Sequence, residues 1–184
     1  CPAYLPKFQF QNNLNNEALY NSAQGNLAIG DTMTNFQEKL GAAQKKNDSL
    51  VCIGLDPDPN MMAIQDVAEF NRAIIDATSD IACCYKPNLA FYEALGMDGL
   101  KALEKTIDCI PSHIPIIGDA KRGDIGSTSK AYADAMFLRW GFDATTISPY
   151  LGRDSVEPFI EHTDKGVLIL CHTSTPGSKD FQEL

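Results

Sequence analysis

Ile114-Pro115-Ile116-Ile117-Gly118-Asp119-Ala120-Lys121-Arg122-Gly123-Asp124-Ile125-Gly126-Ser127-Thr128 carries an apolar run into a lysine set between two aspartates, then into a glycine-punctuated loop. Ile114–Lys121 reads as a strand. Residues i and i+2 of a strand share a face, so Asp119 and Lys121 are expected to point the same way, with Asp124 following on the loop. Carboxylates on both sides favour an oriented ammonium at Lys121, which suits a group that stabilises a carbanion and then protonates it. A surface salt-bridge cluster is the plainer reading of the same residues; their position at a strand end favours a site.

Outward from this stretch the chain alternates between short apolar segments and longer amphipathic ones. Strands are expected at Leu50–Asp56, Ile81–Lys86, Ile114–Lys121, Ala144–Ser148 and Gly166–Cys171. Helices are expected at Gln65–Ser79, Asp98–Cys109, Ser127–Trp140 and Asp154–Thr163, each long enough for a crossover between parallel strands. This is the pattern of a parallel α/β fold. Alternation alone fits either an open doubly wound sheet or a closed barrel. Polar residues recur at the C-terminal ends of the strands, at Asp56, Lys86, Asp119 with Lys121, and Ser174 just beyond the fifth, and this favours the barrel. A dinucleotide site would need a glycine-rich turn after the first strand, and Gly54-Leu55-Asp56-Pro57 is not one.

The expected fold is therefore a (β/α)8 TIM barrel, present as about its first five βα units. A barrel of this kind takes eight units over about 250 residues, and its phosphate site is usually built from the loops after strands seven and eight. The chain thus reads as a C-terminally truncated fragment without its phosphate-gripping residues. An isolated piece with an open inner face is expected to be unstable or inactive.

The formal net charge of −9 and a pI near 4.7 argue against a general nucleic-acid binder. Six cysteines, Cys1, Cys52, Cys83, Cys84, Cys109 and Cys171, show no C-x-x-C spacing and are read as reduced core residues of a cytoplasmic protein. His113, His162 and His172 are scattered, so no metal site is expected. No apolar run is long enough to span a bilayer, and no membrane partner is expected. Residues 1–32 are rich in Asn and Gln and are expected to form a disordered N-terminal extension: a linker, a fusion remnant or mistranslated sequence. Met33 precedes Thr34-Asn35-Phe36-Gln37, a capping-box signature with Phe36, Leu40 and Ala43 at helical spacing behind it, so residues 33–184 are taken as the domain.

Asp56 ends the first strand where Pro57 stops the ladder, leaving an acceptor that suits ribose hydroxyls; a turn or helix-cap aspartate is the alternative. Lys86 ends so apolar a strand that it needs an anion nearby, and Asp119 is the candidate; a snorkelling lysine is the alternative.

Asp119–Phe137 (DAKRGDIGSTSKAYADAMF), with Gly54–Pro59 (GLDPDP) upstream and Pro149–Gly152 (PYLG) and Thr173–Ser178 (TSTPGS) downstream, resembles the orotidine 5′-monophosphate decarboxylases, in the type 2 subgroup found in many bacteria. The resemblance runs from about Met33 to Leu184. It implies decarboxylation of orotidine 5′-monophosphate to UMP without a cofactor. Lys121 would donate the proton, Asp119 would lie beside the substrate carboxylate, and Lys86 and Asp56 would hold the ribose. It also implies a homodimer in which Asp124, Ile125 and Thr128 reach into the partner's site. Ser174 is similar to the serine that bonds the pyrimidine edge, a role that Thr173 or Thr175 could hold instead. Two other readings stand beside it: a truncated inactive chain, and a magnesium-dependent sugar-phosphate decarboxylase or synthase that shares the D-x-K-x-x-D core.

Overall fold

The computed structural model describes residues 35–183. The extension expected over residues 1–32 lies outside them. Helix α1 (Phe36–Asn47) opens with a capping box: Glu38 N–H donates to Asn35 Oδ1 at 2.9 Å, and Asn35 N–H to Glu38 Oε2 at 3.2 Å. The box is thus one residue later than the Thr34/Gln37 pair that the sequence suggested. Both asparagine and glutamate meet its requirements, so the register is settled by which residue packs. That residue is Phe36, which with Leu40 lies on Cys83, Cys84, Ile117 and Ala144.

The five strands are β1 (Val51–Leu55), β2 (Ala82–Pro87), β3 (Ile117–Arg122), β4 (Ala144–Ile147) and β5 (Gly166–Ile169). All the pairings are parallel. β1 pairs with β2 and β3–β4–β5 form a ladder, while single bridges at Tyr85 to Ile116 and Asn88 to Asp119 join the two sets. The spatial order therefore equals the chain order. A doubly wound sheet reverses direction at its switch point, whereas a barrel adds each strand beside the last. This monotonic order makes the fold a partial (β/α)8 barrel, with β1 and β5 as its edges among the described residues.

Ala144, Ile117 and Gly166 are the first residues of their strands, so α1 covers the N-terminal end of the arc. There Lys39 Nζ bonds both Asp143 oxygens at 2.8 and 3.0 Å, and Phe36 N–H donates to the Asp164 carbonyl. The outer face is covered by α2 (Val67–Thr78), α3 (Leu89–Ala94), α4 (Gly96–Cys109), α5 (Gly126–Asp134) and α6 (Arg153–Ile160). Between sheet and helices lies a core that includes Leu55, Ile75, Tyr85, Tyr92, Leu103, Phe137, Phe142 and Phe159. Each such side chain contributes about 1.5–3 kcal/mol through burial.

Three features depart from expectation. The short helix α3 follows β2 directly, capped by the Asn88 side chain on Ala90 N–H. Helix α5 continues into a π turn over Ala135–Arg139 before Gly141, at φ +71°, ends it. The third strand begins at Ile117, because Ile114 N–H turns back to the Pro111 carbonyl. The cysteine reading holds for Cys83 and Cys84, which are buried; Cys52, Cys109 and Cys171 are exposed, all five are unpaired, and Cys1 lies outside the described residues. No helix among the described residues is long and apolar enough to cross a membrane.

Candidate active site

The C-terminal ends of β2 and β3 bring Lys86, Asp119 and Lys121 together. Lys86 Nζ donates to Asp119 Oδ2 at 2.9 Å and Lys121 Nζ to Asp119 Oδ1 at 2.5 Å. The Asp119 side chain is 8% exposed, Lys86 31% and Lys121 47%, so the carboxylate is the buried hub and the ammoniums face outward. Burial alone would raise the Asp119 pKa. Hydrogen bonds from Lys121, Lys86 and the Thr146 hydroxyl outweigh it and bring the carboxyl down to about 2. Lys86 moves the other way: desolvation opposes its charge, but the bond to Asp119 and the field of Asp119 and Asp56 raise its pKa.

Asp119 and Lys121 meet, but not because they share the face of a regular strand. Between Gly118, paired with Thr145, and Arg122, paired with Ile147, β3 takes four steps where β4 takes two. Lys121 sits in the left-handed region at φ +48°. For a side chain bearing a Cβ this conformation costs about 1–3 kcal/mol and persists only where the surroundings impose it.

Asp56 follows β1 and its carboxylate folds back over Gly54, with both oxygens 3.8 Å from where a Cβ would stand on that glycine. It contributes to the field at Lys86 without a direct ion pair. Its strand end is anchored from behind: the Leu55 carbonyl accepts from Tyr92 Oη at 3.0 Å, and Asn71 Nδ2 donates to Tyr92 Oη and Thr106 Oγ1. Beside the array, Cys52 stands opposite Cys84 across β1 and β2, and this neighbour lowers the pKa of its thiol.

Asp124 does not bracket Lys121 within the chain; its Oδ1 accepts from Ile125 N–H at 2.7 Å. Ile125, 65% exposed, precedes α5, and Thr128 N–H closes the first turn onto the Ile125 carbonyl. The loop is set by Gly123, where a Cβ would stand 2.5 Å from the Ser148 carbonyl, and by Ser148 N–H donating to the Arg122 carbonyl. Arg122 in turn pairs with Glu93 of α3 and lies 5.3 Å over the Tyr132 ring. Ser174 is exposed in the segment after β5, while Thr173 is engaged by Gln182 and Thr175. The array therefore gathers Lys86, Asp119 and Lys121 with Asp56 nearby, and leaves Asp124, Ile125 and Ser174 on the loops around it and Thr128 in the first turn of α5.

Sequence reasoning missed Thr146, Tyr92 and Arg122. The first was accessible in principle: in the fourth strand, expected over Ala144–Ser148, Thr146 stands two residues before the end, as Asp119 stands two before Lys121 in the third. Among the described residues no group of three or more His, Cys, Asp and Glu side chains could hold a metal ion.

The Orotidine 5'-phosphate decarboxylase / HUMPS family model matches residues 49–184. The chain belongs to this family. An orotidine 5'-phosphate decarboxylase of Herpetosiphon aurantiacus is 56% identical over 155 residues, covering 81% of this chain and 58% of that protein. One of Dehalococcoides mccartyi is 57% identical over 150 residues, covering 81% of this chain and 56% of that protein. The chain thus spans a little over half the length of these curated relatives. The structure of Leishmania donovani OMP decarboxylase superposes with a TM-score of 0.75 at 40% identity, over 82% of this chain and 59% of that one. In this family's chain, the Lys86–Asp119–Lys121 array occupies the end of the barrel at which such folds carry their chemistry.

Proposed function

We propose that the complete protein containing this chain decarboxylates orotidine 5′-monophosphate to UMP and CO2 in pyrimidine synthesis, as a cytoplasmic homodimer. The observation that carries this reading is the Lys86–Asp119–Lys121 array, two ammoniums on one buried carboxylate at the mouth of a parallel barrel. The bond from C6 to the carboxylate breaks, CO2 leaves, and the electron pair stays on C6. A fixed ammonium at Lys121 stabilises that charge and delivers a proton to C6, and solvent then restores the lysine. Asp119 orients both lysines beside the departing carboxylate, and Lys86 and Asp56 hold the ribose. Ser174 faces the pyrimidine edge. No cofactor is assigned.

The test is turnover of orotidine 5′-monophosphate, followed by the fall in ultraviolet absorbance of the pyrimidine, with and without EDTA. The rate is expected to be the same in both. No turnover of orotidine 5′-monophosphate, beside a sugar-phosphate reaction that EDTA abolishes and magnesium restores, would transfer the chain to the enzymes that share its D-x-K-x-x-D core.

Asp124, Ile125 and Thr128 are assigned to a partner's site across a two-fold axis. Lys121→Ala chains and Asp124→Ala chains are each expected to be inactive alone. Mixed and allowed to exchange, they form heterodimers with one intact site, so recovery approaches about a quarter of wild-type activity. Verified exchange without recovery would place both residues in one chain's site.

A further inference from the structure

Thr146 lies on β4, opposite the irregular part of β3. Its hydroxyl accepts from Ala120 N–H and from Lys121 N–H, both at 3.0 Å, and donates to Asp119 Oδ1 at 2.8 Å. A hydroxyl has one proton and two acceptor sites. Both acceptor sites are taken by backbone donors that cannot be reversed, so the proton is committed to the carboxylate. Its three partners are consecutive residues, Asp119, Ala120 and Lys121.

We propose that Thr146 is a positioning residue: its single hydroxyl holds the two extra residues of β3 in place, aims Lys121, and fixes the Asp119 oxygen that Lys121 touches. In a regular parallel ladder the amides of residues 120 and 121 would not share one acceptor; here a side chain from the next strand replaces the backbone carbonyls. These two bonds answer the question raised by the left-handed Lys121, since a strained residue needs surroundings that over-determine it. Thr145, the adjacent residue, donates to the Gly118 carbonyl at 2.9 Å and secures the last regular pair before the irregularity. The geometry of Lys121 is therefore imposed from β4, and neither Asp119 nor Lys121 alone would set it.

The inference rests on the decarboxylase reading for its kinetic consequence, and on geometry alone for its structural one. In the complete protein, Thr146→Val and Thr146→Ala are expected to lower kcat by about 100-fold, the usual cost of a misplaced reacting group, with the affinity for UMP changed by less than about threefold. Thr146→Ser, which keeps the hydroxyl, is expected to stay within about fivefold of wild type. The Ala120 and Lys121 amides are expected to exchange with solvent at least about tenfold faster in the Val and Ala variants, and at the wild-type rate in Ser. If Thr146→Val does not fold, the Ala against Ser comparison decides. Unchanged exchange in the Ala variant, kcat within about threefold of wild type, or a Ser variant as slow as Ala would each overturn the proposal. Wild-type protein that shows the exchange pattern but no turnover would refute the decarboxylase reading and leave the Thr146 clamp standing.

Discussion

Lys121→Ala in the complete protein is expected to lower kcat by about 10⁴-fold or more, while the protein still folds and binds UMP. The lysine is assigned two tasks at once, stabilising charge at C6 and delivering the proton, and general acid catalysis alone is commonly worth about 10²–10⁴. Its contribution to stability is small by comparison. The side chain is 47% exposed, and after its loss Asp119 keeps its bonds to Lys86 and Thr146. A melting temperature within a few degrees of wild type, about the effect of 1 kcal/mol, is therefore expected beside the collapse of turnover. Lys121→Arg separates the two tasks. Arginine keeps the charge but does not give up its proton at neutral pH, so this variant should remain severely impaired. Near-normal kcat in either variant would remove Lys121 from the role of proton donor.

The parts of this site that could be read in the sequence were those set by short-range pattern. The first three strands each carry a charged side chain within about three residues of their C-terminal end, and that regularity makes Asp56, Lys86 and Asp119 legible in the sequence. Lys86 needed an anion because Cys83, Cys84 and Tyr85 before it are buried, and the ion pair to Asp119 is what meets that need. What could not be read depends on contacts distant in the chain. The irregularity in β3 carries no glycine at position 121 to announce it; it exists because a threonine 25 residues later accepts two of its amides. Helix α3 escaped because six residues show too little period, and its purpose appears only when Tyr92 reaches 37 residues back to the Leu55 carbonyl. The π turn after α5 likewise has no local signature. Asp119 and Lys121 thus meet as an i, i+2 pair would, but a plain strand would not have required the left-handed residue.

Asp119→Ala is expected to cost both activity and stability, and the pH dependence of the second loss identifies its cause. Removing the buried carboxylate takes its hydrogen bonds from two ammoniums that still face solvent, so unfolding free energy should fall by about 1–3 kcal/mol at pH 7. Turnover should fall by at least about 10³-fold, because neither lysine is then held at the position of the reacting carbon. The folded pKa of about 2 lies below the ordinary carboxylate value of 3.8. A depressed folded pKa gives stability that is fully present above the unfolded value and lost as the pH falls toward the folded one, here between about pH 4 and pH 2; a shift of this size corresponds to about 2 kcal/mol. Asp119→Asn, which keeps the size and removes the charge, isolates this part. Urea titrations of wild type and Asp119→Asn should show a stability gap that is constant from pH 7 to about 5 and narrows progressively below pH 4. A gap of the same size at pH 3 as at pH 7 would mean that the site is held by packing around Asp119 and not by its charge. The ion-pair account of how Lys86 and Lys121 are oriented would then have to be given up.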